Sequence, residues 1–149
     1  MAAGPVAASS TTVVSRDFLT RPEVSRCCSR RFAHFRAPGN FITKPEFTSQ
    51  YWAGLANVSD WKKGSPWQHV TGGEKPEIYI TGKVLECIPL KRLVLSWADP
   101  DDLADKSRVT FEIEAIEDQV CLTVTHGNFK AGSTMAGKFP GAGRAYFRA

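Results

Sequence analysis

The residues of this chain that could do chemistry are three histidines, four cysteines and one dense run of acids. His69 and His126 fall at or near the ends of strand-like segments, and neither has a carboxylate or cysteine at ligand spacing. Such histidines are more often surface or satisfied core residues than general bases or metal ligands. Cys27 and Cys28 are adjacent, whereas Cys87 and Cys121 stand alone inside strand patterns. With no CxxC pair, a structural zinc site is not expected. Free buried thiols in a reducing compartment are the expectation for Cys87 and Cys121.

The run from Asp99 to Asp105 has the look of a calcium loop, but Leu103 occupies its fifth position and no glycine or closing glutamate follows at loop spacing. A solvated turn accounts for it better. Gly141 and Gly143 neither follow a strand nor open a helix, so they make no phosphate loop. Asn57-Val58-Ser59 matches a glycosylation acceptor, which without secretion is a chance match. The residues therefore predict no catalytic group, no metal and no cofactor.

The elements that would position any site lie in the middle of the chain. Thr43 and Glu46 have capping-box spacing with Pro45 between them, and Phe47, Tyr51 and Leu55 recur every four residues. This predicts a short helix over 45–54 with an aromatic stripe. Strands are predicted over 57–63, 65–70, 77–88, 92–98, 107–115 and 119–126. In the last three, Leu93, Leu95 and Trp97, then Val109, Phe111 and Ile113, then Val120, Leu122 and Val124 alternate with more polar neighbours. Gly82 reads as a bulge or bend. Short, turn-rich connections make a meandering antiparallel sheet the economical topology. One apolar sheet face needs a cover, and a single short helix is too little for six strands.

The ends differ from the middle. Residues 1–40 carry six arginines against Asp17 and Glu23, residues 41–129 carry nine basic against thirteen acidic residues, and residues 130–149 carry four basic residues and no acid. The folded part is thus mildly acidic, which argues against a nucleic-acid partner. No apolar stretch approaches the roughly 20 residues that cross a bilayer, so no membrane association is expected. Residues 1–40 lack both strand and helix periodicity and read as a disordered or aberrant leader. They use arginine without lysine, while residues 41–129 use seven lysines and two arginines. A shifted reading frame or misplaced start would leave that change; an organellar transit peptide is the alternative. Residues 135–149 hold Gly137, Pro140, Gly141 and Gly143 and read as an irregular tail, because glycine and proline disfavour a helix there.

Five segments together carry a family likeness: Pro45–Trp52 (PEFTSQYW), Ser59–Trp67 (SDWKKGSPW), Thr81–Glu86 (TGKVLE), Lys91–Trp97 (KRLVLSW) and Leu122–His126 (LTVTH). In this order they resemble the family of homologues of the activator of heat-shock-protein-90 ATPase, within the START-like or SRPBCC helix-grip superfamily. The resemblance implies an α+β domain over 41–134, a curved antiparallel sheet of about six strands with a short helix packed on it. Phe41–Thr43 would be the tail of the family's opening strand. The usual first helix and long C-terminal helix have no counterpart in the sequence, and the pattern fades after about Ser133.

In that superfamily the sheet and its helix enclose an apolar cavity. The resemblance implies a non-enzymatic module binding a small hydrophobic ligand or a protein partner, with Trp52, Trp67, Tyr79, Trp97 and Phe111 as candidate cavity walls. The same aromatics serve equally as core filling. Stimulation of a chaperone ATPase, in a stress-response setting, is the alternative function. A truncated or frame-altered family member with an impaired cavity, self-associating through an exposed sheet face, is the third reading. The expected location is cytoplasmic, or organellar if the leader is a transit peptide.

Overall fold

The computed structural model describes residues 22–29, 40–45, 48–49 and 54–135. Seven strands form one sheet: β1 Glu23–Ser29, β2 Ala56–Ser59, β3 Pro66–Val70, β4 Ile78–Ile88, β5 Arg92–Asp99, β6 Asp102–Ile116 and β7 Gln119–Gly127. Their order is β1-β7-β6-β5-β4-β3-β2, and every neighbouring pair is antiparallel. The six expected strands are present in sequence order as an antiparallel meander.

The seventh strand is a correction. β1 lies within residues 1–40, which lack strand periodicity, and it pairs with β7 along its whole length. Its strand character comes from that distant partner rather than from its own sequence. Residues 41–43, read as the tail of an opening strand, belong instead to a single helical turn, α1, Asn40–Thr43. Thr43 ends that turn, and the capping-box partner expected at Glu46 lies outside the described residues. The helix expected over 45–54 lies largely outside the described residues; Thr48 N–H donates to the Lys44 carbonyl at 3.0 Å. The irregular tail expected over 135–149 lies outside them beyond Met135.

β2 stops earlier than the expected residue 63, and the local chemistry shows why. Trp61 adopts a left-handed backbone (φ 61°) and Gly64 another (φ 88°). Ser59 Oγ accepts the Trp61 N–H at 3.1 Å, and Asp60 Oδ1 accepts the Lys62 N–H at 3.0 Å. These bonds turn the chain back into β3. β4 shifts register against β5 between Val84 and Glu86 and against β3 between its residues Ile78 and Ile80, so neither irregularity falls at Gly82.

The core lies on one face of the sheet. Trp67, Ile80, Val84, Leu93, Leu95, Trp97, Val109, Phe111, Leu122 and Val124 form it, joined by Ile42 of α1 and by Met135. The outer face carries Val94, the Cys28–Cys121 disulfide and a set of ion pairs. Arg92 Nη1 donates to Glu112 Oε1 at 2.7 Å and its Nε stands 3.5 Å from Glu86, while Arg26 meets Glu114 at 2.9 Å.

Candidate functional site

Two features of the core face are candidates for function: a band of indole and imidazole rings, and an apolar cleft.

The band is built by strand alternation, which puts Trp67 and His69 of β3, Trp97 of β5 and His126 of β7 on the same side. Trp67 and Trp97 have centroids 4.9 Å apart. His69 lies 6.0 Å from Trp97, and His126 lies 5.8 Å from Trp97 and 4.7 Å from Phe129. Gly82, the register partner of Trp67, has no side chain to block the indole, whose N–H donates to the Ser96 carbonyl at 2.8 Å.

Both histidines are buried and held by the fold. Asn57 Nδ2 donates to the Ile42 carbonyl at 3.0 Å, which turns Oδ1 toward His69 Nδ1 at 2.6 Å. His69 is therefore protonated on Nδ1 and donates. Ser107 Oγ donates to the Trp97 carbonyl at 3.3 Å and accepts from His126 Nε2 at 2.8 Å. Burial pushes each imidazole from its ordinary 6.5 down to about 4, so both are neutral near pH 7. His126 Nδ1 has no hydrogen-bond partner among the described residues. Asn57 is 2% exposed, so its side chain is a buried structural amide rather than a glycosylation acceptor.

The cleft lies where α1, the β2–β3 loop and the β4–β5 turn meet. It measures about 200 Å³ and is lined by Ile42, Trp61, Cys87, Leu93 and Ile113, with Ile88, Pro89 and Leu90 at its rim. Among the described residues Arg92 is its one charged lining residue, and Glu112 and Glu86 already neutralise it. Lys91 N–H donates to the Ile88 carbonyl at 3.1 Å, closing a turn with Pro89 and Leu90 at its centre. Leu90 has φ 65°, the left-handed region that this turn position reserves for glycine or asparagine. Leu90 and Trp61 thus both border the cleft in strained backbone. Such residues cluster at ligand clamps.

The expected wall residues sit elsewhere. Trp67, Trp97 and Phe111 are in the core cluster, Tyr79 is 56% exposed, and Trp52 lies outside the described residues. Tyr79 is the extra residue of the β3–β4 register shift, between Ile78 opposite Val70 and Ile80 opposite His69. None of these four described residues lines the cleft. Cys87 is a free thiol in the cleft, and burial raises its pKa. Cys121 is not free: it is bonded to Cys28, its cross-strand partner. The two cysteines meet because β1, which lacks strand periodicity, pairs in that register.

The acidic run does local work. Asp99 and Asp102 side chains accept N–H groups of Asp101 and Ala104 at 2.9 and 3.3 Å. Asp105 faces in, where Oδ2 accepts from the Thr134 and Met135 N–H groups at 2.9 and 3.3 Å. The Ser133 hydroxyl first, then those N–H groups, hold its carboxyl below the usual carboxylate range. No group of three or more His, Cys, Asp or Glu among the described residues could hold a metal ion.

Known proteins place this geometry. The family described as activator of Hsp90 ATPase homolog 1-like protein matches residues 40–147, a span running past the last of the five motifs. A crystal structure of an HSP90 activator from Plasmodium falciparum is 24% identical, with TM-score 0.53, covering 68% of this chain and 74% of that one. The CalU16 protein of Micromonospora echinospora, in solution, is 18% identical, with TM-score 0.55, covering 99% of this chain and 78% of its own. The Aha1 dimer of Colwellia psychrerythraea is 17% identical, with TM-score 0.50, covering 77% of this chain and 81% of that one. No curated protein matches the chain. At these identities the likeness to the solved structures concerns the fold.

Proposed function

This chain belongs to the activator of Hsp90 ATPase homolog 1-like protein family, and we propose that it acts as a non-enzymatic helix-grip module whose cleft takes an apolar group. The group is a small uncharged ligand or an apolar side chain of a protein partner. The cleft between Ile42, Trp61, Leu93 and Ile113 carries this reading, since its described wall is mainly apolar, with Thr43 and the Cys87 thiol as small polar groups, and the Arg92 charge is already paired. Its volume of about 200 Å³ falls below the roughly 300–1,000 Å³ of sites for drug-sized ligands. The occupant is accordingly the size of one aromatic ring or branched aliphatic group. Neutral, internally bonded histidines offer no poised acid or base, which favours binding over turnover.

The test is a fluorescence screen of uncharged monoaromatic and short lipid-like compounds, run on the wild type and on Leu93→Trp. Saturable quenching that is lost when the larger side chain fills the cleft supports the reading. Equal responses from both proteins, or none from either, contradict it.

A second reading is stimulation of a chaperone ATPase, favoured by the fold likeness to the Plasmodium HSP90 activator. The rim Ile88-Pro89-Leu90 suits a protein partner, with Ile88 and Leu90 44% and 49% exposed. Adding the chain to an Hsp90-class chaperone and measuring ATP turnover decides it. Stimulation that Leu90→Ser abolishes is the expected result, and an unchanged basal rate rejects it.

A further inference from the structure

We propose that the Cys28–Cys121 bond is a thiol–disulfide exchange site, through which a dithiol reductant releases β1 from the sheet. Among the described strands β1 is the outermost on its side, and β7 is its one partner. The bond closes a loop between residues 93 apart in sequence, so it strongly restricts where β1 can go when it separates. Across the outer face its other tie is the Arg26–Glu114 pair at 2.9 Å, whose side chains are 49% and 59% exposed. Exposed pairs of this kind hold weakly. Val24 is 43% exposed and adds little burial. Among the described side chains of β1, the covalent link is therefore the strongest tie.

The two sulfurs differ in access. Cys121 is 2% exposed, whereas Cys28 is half-buried, so a nucleophile enters at Cys28. A thiolate of the reductant bonds to Cys28 Sγ, the Cys28–Cys121 bond breaks, and Cys121 leaves as a thiolate that takes up a proton. The reductant's second thiolate then attacks its own sulfur in the mixed disulfide, expelling Cys28, which is also protonated. One protein disulfide is reduced, one dithiol becomes a disulfide, and two electrons and two protons pass to the protein. Released β1 leaves β7 as a new sheet edge with unpaired backbone groups.

The test uses the whole chain, oxidised with diamide or reduced with dithiothreitol, followed by hydrogen exchange and by mass after alkylation. Reduction should free two alkylatable thiols and speed exchange in residues 23–29 and 119–127 at least tenfold, with 66–70 and 92–99 unchanged. Cys27→Ser should keep this response, while the double variant Cys28→Ser, Cys121→Ser should exchange fast under both conditions. Alkylation of Cys121 in the oxidised chain, unchanged exchange on reduction, or equal acceleration in every strand would each overturn the proposal. The wild-type comparison stands alone if the double variant does not fold.

Discussion

Trp67 and Gly82 face each other across the β3–β4 ladder, and the indole occupies the space that a side chain on Gly82 would need. A Cβ at residue 82 would overlap the Ser96 carbonyl and press on Trp67 Nε1. The Trp67 N–H bond to that carbonyl, at 2.8 Å, depends on this close approach. The Trp67–Trp97 contact at the centre of the core depends on it in turn.

Gly82→Ala should therefore destabilise the fold by about 3 kcal/mol, at the upper end of overpacking costs. The obstacle is backbone, which cannot rotate away as a side chain can. Urea unfolding followed by tryptophan emission measures this. A loss under about 0.5 kcal/mol would mean that the indole does not lie over residue 82.

Stability should fall as the pH drops from about 6.5 to about 4. His69 and His126 have folded values near 4, below the ordinary value near 6.5 of an unfolded chain. Between those values the unfolded state binds more protons, so unfolding is favoured as pH falls. Each histidine contributes about 1.4 kcal/mol per pH unit at most within that window. Chemical unfolding at pH 7, 5.5 and 4.5 measures the slope. Replacing both histidines with glutamine should flatten it, and an unchanged slope would place the titration elsewhere.

Leu90→Gly should separate stability from binding. Glycine suits the φ of 65° at that turn position, so relief of strain should raise stability by about 1 kcal/mol. The same change strips an apolar group from the cleft rim and should weaken apolar probes severalfold. Thermal melts and probe titrations on one preparation measure both. A loss of stability would show that Leu90 packs more than it strains.

Asp105→Ala removes the acceptor for the Thr134 and Met135 N–H groups. A cost of about 1–2 kcal/mol is expected, typical of losing a capping carboxylate. Asp102→Ala, whose carboxylate accepts only long bonds at 3.3 Å from the Ala104 and Asp105 N–H groups among the described residues, should cost less. Equal effects would reduce Asp105 to an ordinary surface acid.

The middle strands were legible because alternation is a local signal. Leu93, Leu95 and Trp97 face in together, as do Val109, Phe111 and Val124. β1 was not legible, since Glu23–Ser29 contains one aliphatic residue and owes its strand form to β7, almost a hundred residues away. The same pairing hid the disulfide. Period-two spacing did carry the inward placement of His69 beside Trp67, of His126 beside Val124, and of Asp105 two residues before Ser107. That parity was the available signal for all three. The cleft left no pattern, because α1, a loop and a turn contribute isolated residues that only tertiary packing gathers. Trp67 and Trp97 pack together in the core cluster, where bare Gly82 leaves room for the Trp67 indole.

Trp61 lines the cleft while Trp67 and Trp97 are sealed in the core, so their indole N–H resonances report separately on the two regions. The most direct test follows these resonances by ¹⁵N–¹H spectroscopy during titration with an uncharged monoaromatic probe such as toluene. A saturable shift at Trp61, with Trp67 and Trp97 unmoved, is what the apolar cleft predicts. Movement of Trp67 or Trp97 ahead of Trp61, or no shift at all, would contradict it.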